Sequence, residues 1–225
     1  MLTEPVFHGI PIIYIFAAVC IIMPRIPVIG KFFSCMNTAI HEFGHTVFAL
    51  LFGGRVQSIS INKDTSGVTS ASNLPGGFAA FAVALAGYPT SASAAWLGLH
   101  LCALHAERAF LIGITVLFLV MLLFWIRNLF GVIWTTAFCA LNIFLIYSEN
   151  QYTNYIALFY AVSILTESAF STLEQLWIVI KNPHTNCDSA VLGRLTHIPS
   201  VLWALAFIAY EAFVCYKLFL VHFMM

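Results

Sequence analysis

The chain has 225 residues, of which 61% are hydrophobic and only 8% charged, and its formal net charge is zero. A soluble domain carries roughly 25% charged residues, so a water-facing surface cannot be built from this composition and a polytopic membrane protein is expected. With basic residues scattered and balanced by acids, nothing points to nucleic acid.

Apolar runs long enough to cross a bilayer, about 17–25 residues, recur along the chain. In order they are about Gly9 to Met23 (short, ending at "PRIP"), Lys31 to Phe52, Gly76 to Leu104 (interrupted by "AGYP"), Arg108 to Ile126, Leu129 to Tyr147, Tyr155 to Ile180, and Pro199 to Phe223. The fold expected is an all-α polytopic membrane protein of about six to seven transmembrane helices, with a small membrane-associated β-hairpin. One membrane domain over residues 1–225 accounts for the sequence. No basic region precedes the first apolar run, so a cleaved leader is not expected. The six cysteines include no C-x-x-C pair, and the five in or beside apolar runs read as small buried hydrophobes.

The hairpin is read from "GGRVQSISINKDTSGVTSAS". Gly53 and Gly54 can end a helix by adopting positive φ. Val56 to Asn62 holds β-branched residues in partial alternation, "KDTSG" is turn chemistry, and Val68 to Ala71 can pair back. Lys and Arg favour this side of the membrane five to three: Arg55, Lys63, Arg127, Lys181 and Arg194 against Arg25, Lys31 and Arg108. That bias places the hairpin and the N-terminus in the cytoplasm.

Within the second run, "TAIHEFGHTVFALLFGG" puts His41, Glu42 and His45 in the pattern H-E-x-x-H. On a helix, positions i and i+4 differ by roughly 40° in azimuth and about 6 Å in height, so both imidazoles can reach one metal. Glu42 can then face water beside that metal as a general base. Zinc bound this way lowers the pKa of water to about 7 and polarises a carbonyl for attack. Polar groups are costly at a helix centre in a bilayer and usually mark function, and metal binding can offset the cost.

A catalytic zinc needs a third protein ligand. Asp188 is the best candidate, being one of two aspartates; Asp64 sits in the hairpin turn. Four crossings after the second run return the chain to the hairpin side near Lys181, so Asp188 shares a membrane half with His45. His184 and His197 are rivals in the same segment. Glu167 and Glu174 are seven apart, hence on one helix face, and fit packing or substrate-path roles better than ligation. Glu211 reads as a satisfied intramembrane polar group.

These residues resemble the site-2 protease family of intramembrane zinc metalloproteases, in particular its compact branch without PDZ or CBS domains. "HEFGH" followed by "TVFALLFGGRVQSISI" is similar to that family's helix, Gly-Gly break and β-loop. "ALAGYP" resembles its A-G-P element with Tyr88 inserted, "RN" at Arg127 and Asn128 opens the fifth run, and "CDSAVLGRLTHIPSVLW" resembles its aspartate segment. The resemblance implies one zinc held by His41, His45 and Asp188, Glu42 as base, and hydrolysis of membrane-spanning protein substrates within the lipid bilayer. It also implies a site toward the cytoplasm, with a bacterial inner membrane as the expected setting. Better-studied members carry N-x-x-P-x-x-x-x-D-G, where this chain has Ile180 for the asparagine, Pro183 in place, and Ser189 for the glycine.

A transmembrane substrate must unwind before hydrolysis, because its carbonyls are tied up in helical hydrogen bonds. The hairpin could clamp the unwound stretch as an added strand. Asn73, Asn128 and Asn142 are the candidate donors to an oxyanion. Two other functions compete: a non-proteolytic zinc-binding scaffold of the same fold, and a transporter using Glu167, Glu174 and Glu211. An intact Glu42 argues against the scaffold, and the lack of an internal repeat argues against the transporter.

Overall fold

The computed structural model describes residues 5–7, 10–148 and 152–223. A two-stranded ribbon, β1 (Pro5–Phe7) and β2 (Ile10–Pro11), leads into α1 (Ile12–Ile22). The expected start of the first apolar run at Gly9 lies outside the described residues. A 3-10 turn (Met23–Arg25) then turns the chain into α2 (Ile29–Leu51), which carries the H-E-x-x-H motif. The hairpin follows as β3 (Arg55–Ile61) and β4 (Gly67–Ser72). The remaining helices are α3 (Gly76–Ala103), α4 (Glu107–Phe124), α5 (Leu129–Ser148), α6 (Tyr152–Lys181), α7 (Asp188–Thr196) and α8 (Ser200–Phe223).

Among the described residues, α3, α4, α5, α6 and α8 are long and apolar enough to cross a membrane, with α1 as a shorter apolar helix. The protein is therefore an integral, multi-pass membrane protein. α2 has the length to span, but its buried side includes the polar Asn37, Glu42, His45 and Thr46. α3 runs unbroken through Pro89, so "AGYP" does not interrupt it. The short α7 lies where the sequence suggested only a connecting segment.

Local chemistry explains the joints. At the end of α2, Gly53 takes φ 78°, its N–H donates to the Leu50 carbonyl at 3.0 Å, and the Gly54 N–H donates to the Ala49 carbonyl at 2.8 Å. This is a Schellman ending, in which a left-handed glycine satisfies the orphan carbonyls and redirects the chain. At the hairpin tip Asp64 Oδ1 accepts from the Ser66 N–H and hydroxyl at 3.1 and 2.7 Å. Those hydrogen bonds hold the Asp64 carboxyl below the usual carboxylate range.

The strands pair antiparallel, with Ile59 opposite Thr69 and Ile61 opposite Gly67. The outer edge of β3 is occupied. The Ile59 N–H donates to the Trp125 carbonyl at 2.8 Å, the Arg127 N–H donates to the Ile59 carbonyl at 3.3 Å, and Asn128 binds both main-chain groups of Ile61. The hairpin is thus fastened to the α4–α5 turn on one side and lies over α2 on the other. α2 packs against α3 and α6, and α7 packs against α3 and α8. That arrangement brings the beginning of α7 back to the middle of α2.

Candidate metal centre

His41 and His45 sit one turn apart on α2, and their Nε2 atoms are 2.9 Å from each other. Asp188, the first residue of α7, places Oδ2 at 3.1 Å from His41 Nε2 and 3.4 Å from His45 Nε2. One donor atom from each of the three residues lies within 4.8 Å of the others. A tetrahedral zinc with bonds of about 2.0–2.1 Å has ligand–ligand edges of about 3.3–3.4 Å. The observed triangle approaches those edges, and its two imidazoles and one carboxylate are a zinc donor set.

The tautomer of His45 follows from its second nitrogen. Nδ1 is 2.7 Å from the Val83 carbonyl, which can only accept, so Nδ1 carries the hydrogen and Nε2 is left bare for a ligand. His41 is held by shape. Its ring meets Tyr88 edge-on at 4.6 Å between centroids, and Gly87 gives it room: a Cβ there would lie 2.6 Å from Nε2 and 2.7 Å from Nδ1.

Glu42 is buried at 5% exposure and points to the hairpin. Its Oε2 accepts from the Thr69 hydroxyl at 2.6 Å, and the same hydroxyl lies 3.1 Å from the Glu42 carbonyl. A Cβ on Gly67 would come within 2.5 Å of Glu42 Oε1. Thr38, one turn earlier on α2, donates to the Thr65 carbonyl at 2.6 Å. The hairpin is therefore docked directly over the glutamate.

A cavity of about 450 Å³ opens in front of these groups. Its wall includes His41, Glu42, His45 and Asp188, together with Gly67 to Thr69 of β4 and Gln175 of α6.

The other candidates fall elsewhere. His184 and His197 are exposed and outside the cavity wall, as is Glu174. Glu167 is half-buried on α6, and Glu211 accepts from the Ser168 hydroxyl at 2.8 Å within the helix bundle. None of the three carboxylates joins the His–His–Asp cluster. Ile180 is exposed and likewise outside the cavity wall. The asparagine candidates also have other places. Asn128 Nδ2 donates to the Ile61 carbonyl at 2.5 Å and its Oδ1 accepts from the Ile61 N–H at 3.1 Å. Asn73 is exposed, and Asn142 is buried in α5 away from the cavity wall. Sequence reasoning missed Thr69, Gly67, Gly87 and Gln175. Only the "AGYP" element and the i, i+4 spacing of Ser171 and Gln175 on α6 gave a signal for any of them.

A family model described as Peptidase M50B-like matches residues 12–218, and the chain belongs to that family, within the site-2 proteases. Membership points to a metallopeptidase held in a membrane. No curated protein and no solved structure matches the chain.

Proposed function

We propose that this chain is an intramembrane zinc metalloendopeptidase that hydrolyses a peptide bond in or near a transmembrane segment of another membrane protein. The observation that carries the reading is the convergence of His41, His45 and Asp188 on one point, with Glu42 on the same cavity wall. One zinc per chain would be held by the two Nε2 atoms and Asp188 Oδ2. When bound, zinc supplies Lewis acidity, polarising the scissile carbonyl and making water acidic near neutral pH.

The protein's own residues do the rest. Glu42 takes a proton from water in the cavity as its oxygen bonds to the scissile carbon. It returns the proton to the amide nitrogen as the C–N bond breaks. Thr69 orients the carboxylate by donating to Oε2, leaving Oε1 for the proton. Val83, Gly87 and Tyr88 hold the two imidazoles in position. Substrate added as a strand fits β4 rather than β3. The β3 edge is already taken by the α4–α5 turn, whereas Gly67 to Thr69 border the cavity. The loop charges favour a site facing the cytoplasm, which in a bacterium is the inner face of the cytoplasmic membrane.

A non-proteolytic zinc-binding scaffold is the second reading. Against it stands the care with which Glu42 is placed: a scaffold has no need of a carboxylate fixed beside the metal ligands. The experiment is zinc content of purified protein by elemental analysis, with cleavage of a transmembrane reporter in proteoliposomes. Wild type should carry about one zinc and cleave, Asp188→Ala should lose zinc, and Glu42→Gln should keep zinc and not cleave. No zinc in a folded wild type after metal is added back would sink the reading. Cleavage by Glu42→Gln would remove the base.

A further inference from the structure

Gln175 has the makings of a substrate-binding group. It is 2% exposed on α6, borders the cavity that holds His41 and Glu42, and neither its Oε1 nor its Nε2 has a hydrogen-bond partner. A buried amide left unpaired on both atoms is costly, and such groups are rare in folded proteins. A residue that only packed α6 against its neighbours would be better served by an apolar side chain. On the α2 side of the same cavity, Asn37 Oδ1 is also buried without a partner. Every charged group of the proposed machinery is engaged, while the Gln175 amide and Asn37 Oδ1 are not.

The use of such an amide is visible elsewhere in the same molecule. Asn128 takes both main-chain groups of Ile61, donating to its carbonyl and accepting from its N–H, and so acts as a one-residue strand partner. A primary amide matches this pattern because the N–H and C=O of one extended residue point to the same edge.

The alternation of the hairpin defines where a substrate strand would lie. Ile59 and Ile61 direct their main-chain groups away from β4, toward Trp125, Arg127 and Asn128. Their partners Thr69 and Gly67 therefore direct theirs to the opposite, cavity side of the ladder. An extended segment bound to Gly67 and Thr69 has one edge paired and the other bare.

We infer that Gln175 binds the bare edge, taking the N–H and C=O of a single unwound substrate residue while β4 holds the other edge. Gln175 is thus a positioning residue that recognises main chain and is indifferent to side-chain identity. Its occupant is an extended peptide backbone. The inference rests on the protease reading above, and the test separates the two.

The probes are a peptidyl hydroxamate with several extended residues and acetohydroxamate, which reaches the metal but has no peptide chain. Wild type and Gln175→Met are compared for zinc content, melting temperature and affinity for each probe. Gln175→Met should keep its zinc and melt at the same temperature or higher, since an apolar side chain of similar length removes two unpaired atoms. It should lose about ten- to hundredfold in affinity for the peptidyl probe, the size expected for two hydrogen bonds, and nothing for acetohydroxamate. Gln175→Asn, with the amide drawn back by one methylene, should fall between them. Equal peptidyl affinity in wild type and Gln175→Met would overturn the inference, as would a clear fall in melting temperature, which would make Gln175 structural. A wild type that carries zinc and binds acetohydroxamate keeps the protease reading whatever Gln175 does. A wild type without zinc removes the premise of both.

Discussion

Gly67→Ala tests how tightly the hairpin sets Glu42, the proposed base. Gly67 lies in β4, and its φ is not in the left-handed region, so alanine meets no backbone penalty. The added Cβ would lie 2.5 Å from Glu42 Oε1, 2.6 Å from Glu42 Cγ and 2.7 Å from Thr38 Cγ2. Ordinary contact begins near 3.4 Å, so the Glu42 carboxylate must retreat by about 0.9 Å. The strand is a poor candidate to move instead, because β3 is fastened to the α4–α5 turn through Ile59 and Ile61. A misplacement of about 1 Å at a reacting group can cost on the order of 100-fold in rate. The three atoms nearest the new methyl group belong to Glu42 and Thr38, not to His41, His45 or Asp188. The expected result is a full complement of zinc with reporter cleavage in proteoliposomes reduced about 100-fold. Wild-type cleavage by Gly67→Ala would refute the placement of the base under the hairpin. Loss of zinc would refute the separation between base and metal ligands.

Gly87→Ala should give the opposite pattern, because its Cβ would press against the His41 ring, with Cε1 the nearest atom: zinc content drops, and activity with it. Thr69→Val removes the hydroxyl that donates to Glu42 and should lower cleavage about tenfold or more with zinc unchanged, read from kcat and elemental analysis on the same preparation. Asn128→Ala leaves the N–H and carbonyl of buried Ile61 unpaired and should destabilise the protein by about 1–3 kcal/mol, seen as a lower melting temperature in detergent. Stripping the metal with a chelator should abolish cleavage and lower the melting temperature, with both restored by zinc; at a free zinc concentration of 100 times Kd the stabilisation is about 2.7 kcal/mol.

The helices were legible because apolar runs of membrane length allow few other structures. The two histidines and the glutamate were legible because a helix converts i, i+4 spacing into a shared face without help from the rest of the fold. Asp188 was reached by counting crossings, which locates a residue in a membrane half but not at a distance from another side chain. The hairpin followed from Gly53, Gly54 and the turn residues. What lay beyond the sequence was the register between elements. That Thr69 rather than Ser70 meets Glu42 depends on how the hairpin sits on α2. Asn128 stood out as a polar residue opening a helix, and its chemistry suggested an oxyanion donor. Its amide is in fact a strand partner for Ile61, a role set by contact across the fold. Gln175 gave almost no signal, because a single amide on α6 has meaning only beside the cavity it borders.

The donors of the centre come from opposite ends of the chain's history. His41 and His45 are in α2, whereas Asp188 arrives only after α3, α4, α5 and α6 have been made. A ribosome-bound chain therefore makes His41, Glu42 and His45 long before Asp188, the third member of the cluster, exists. Until α7 docks, the nascent protein has the H-E-x-x-H turn but only two of the three groups proposed to hold zinc. On the protease reading, cleavage activity would therefore depend on completion of synthesis through α7.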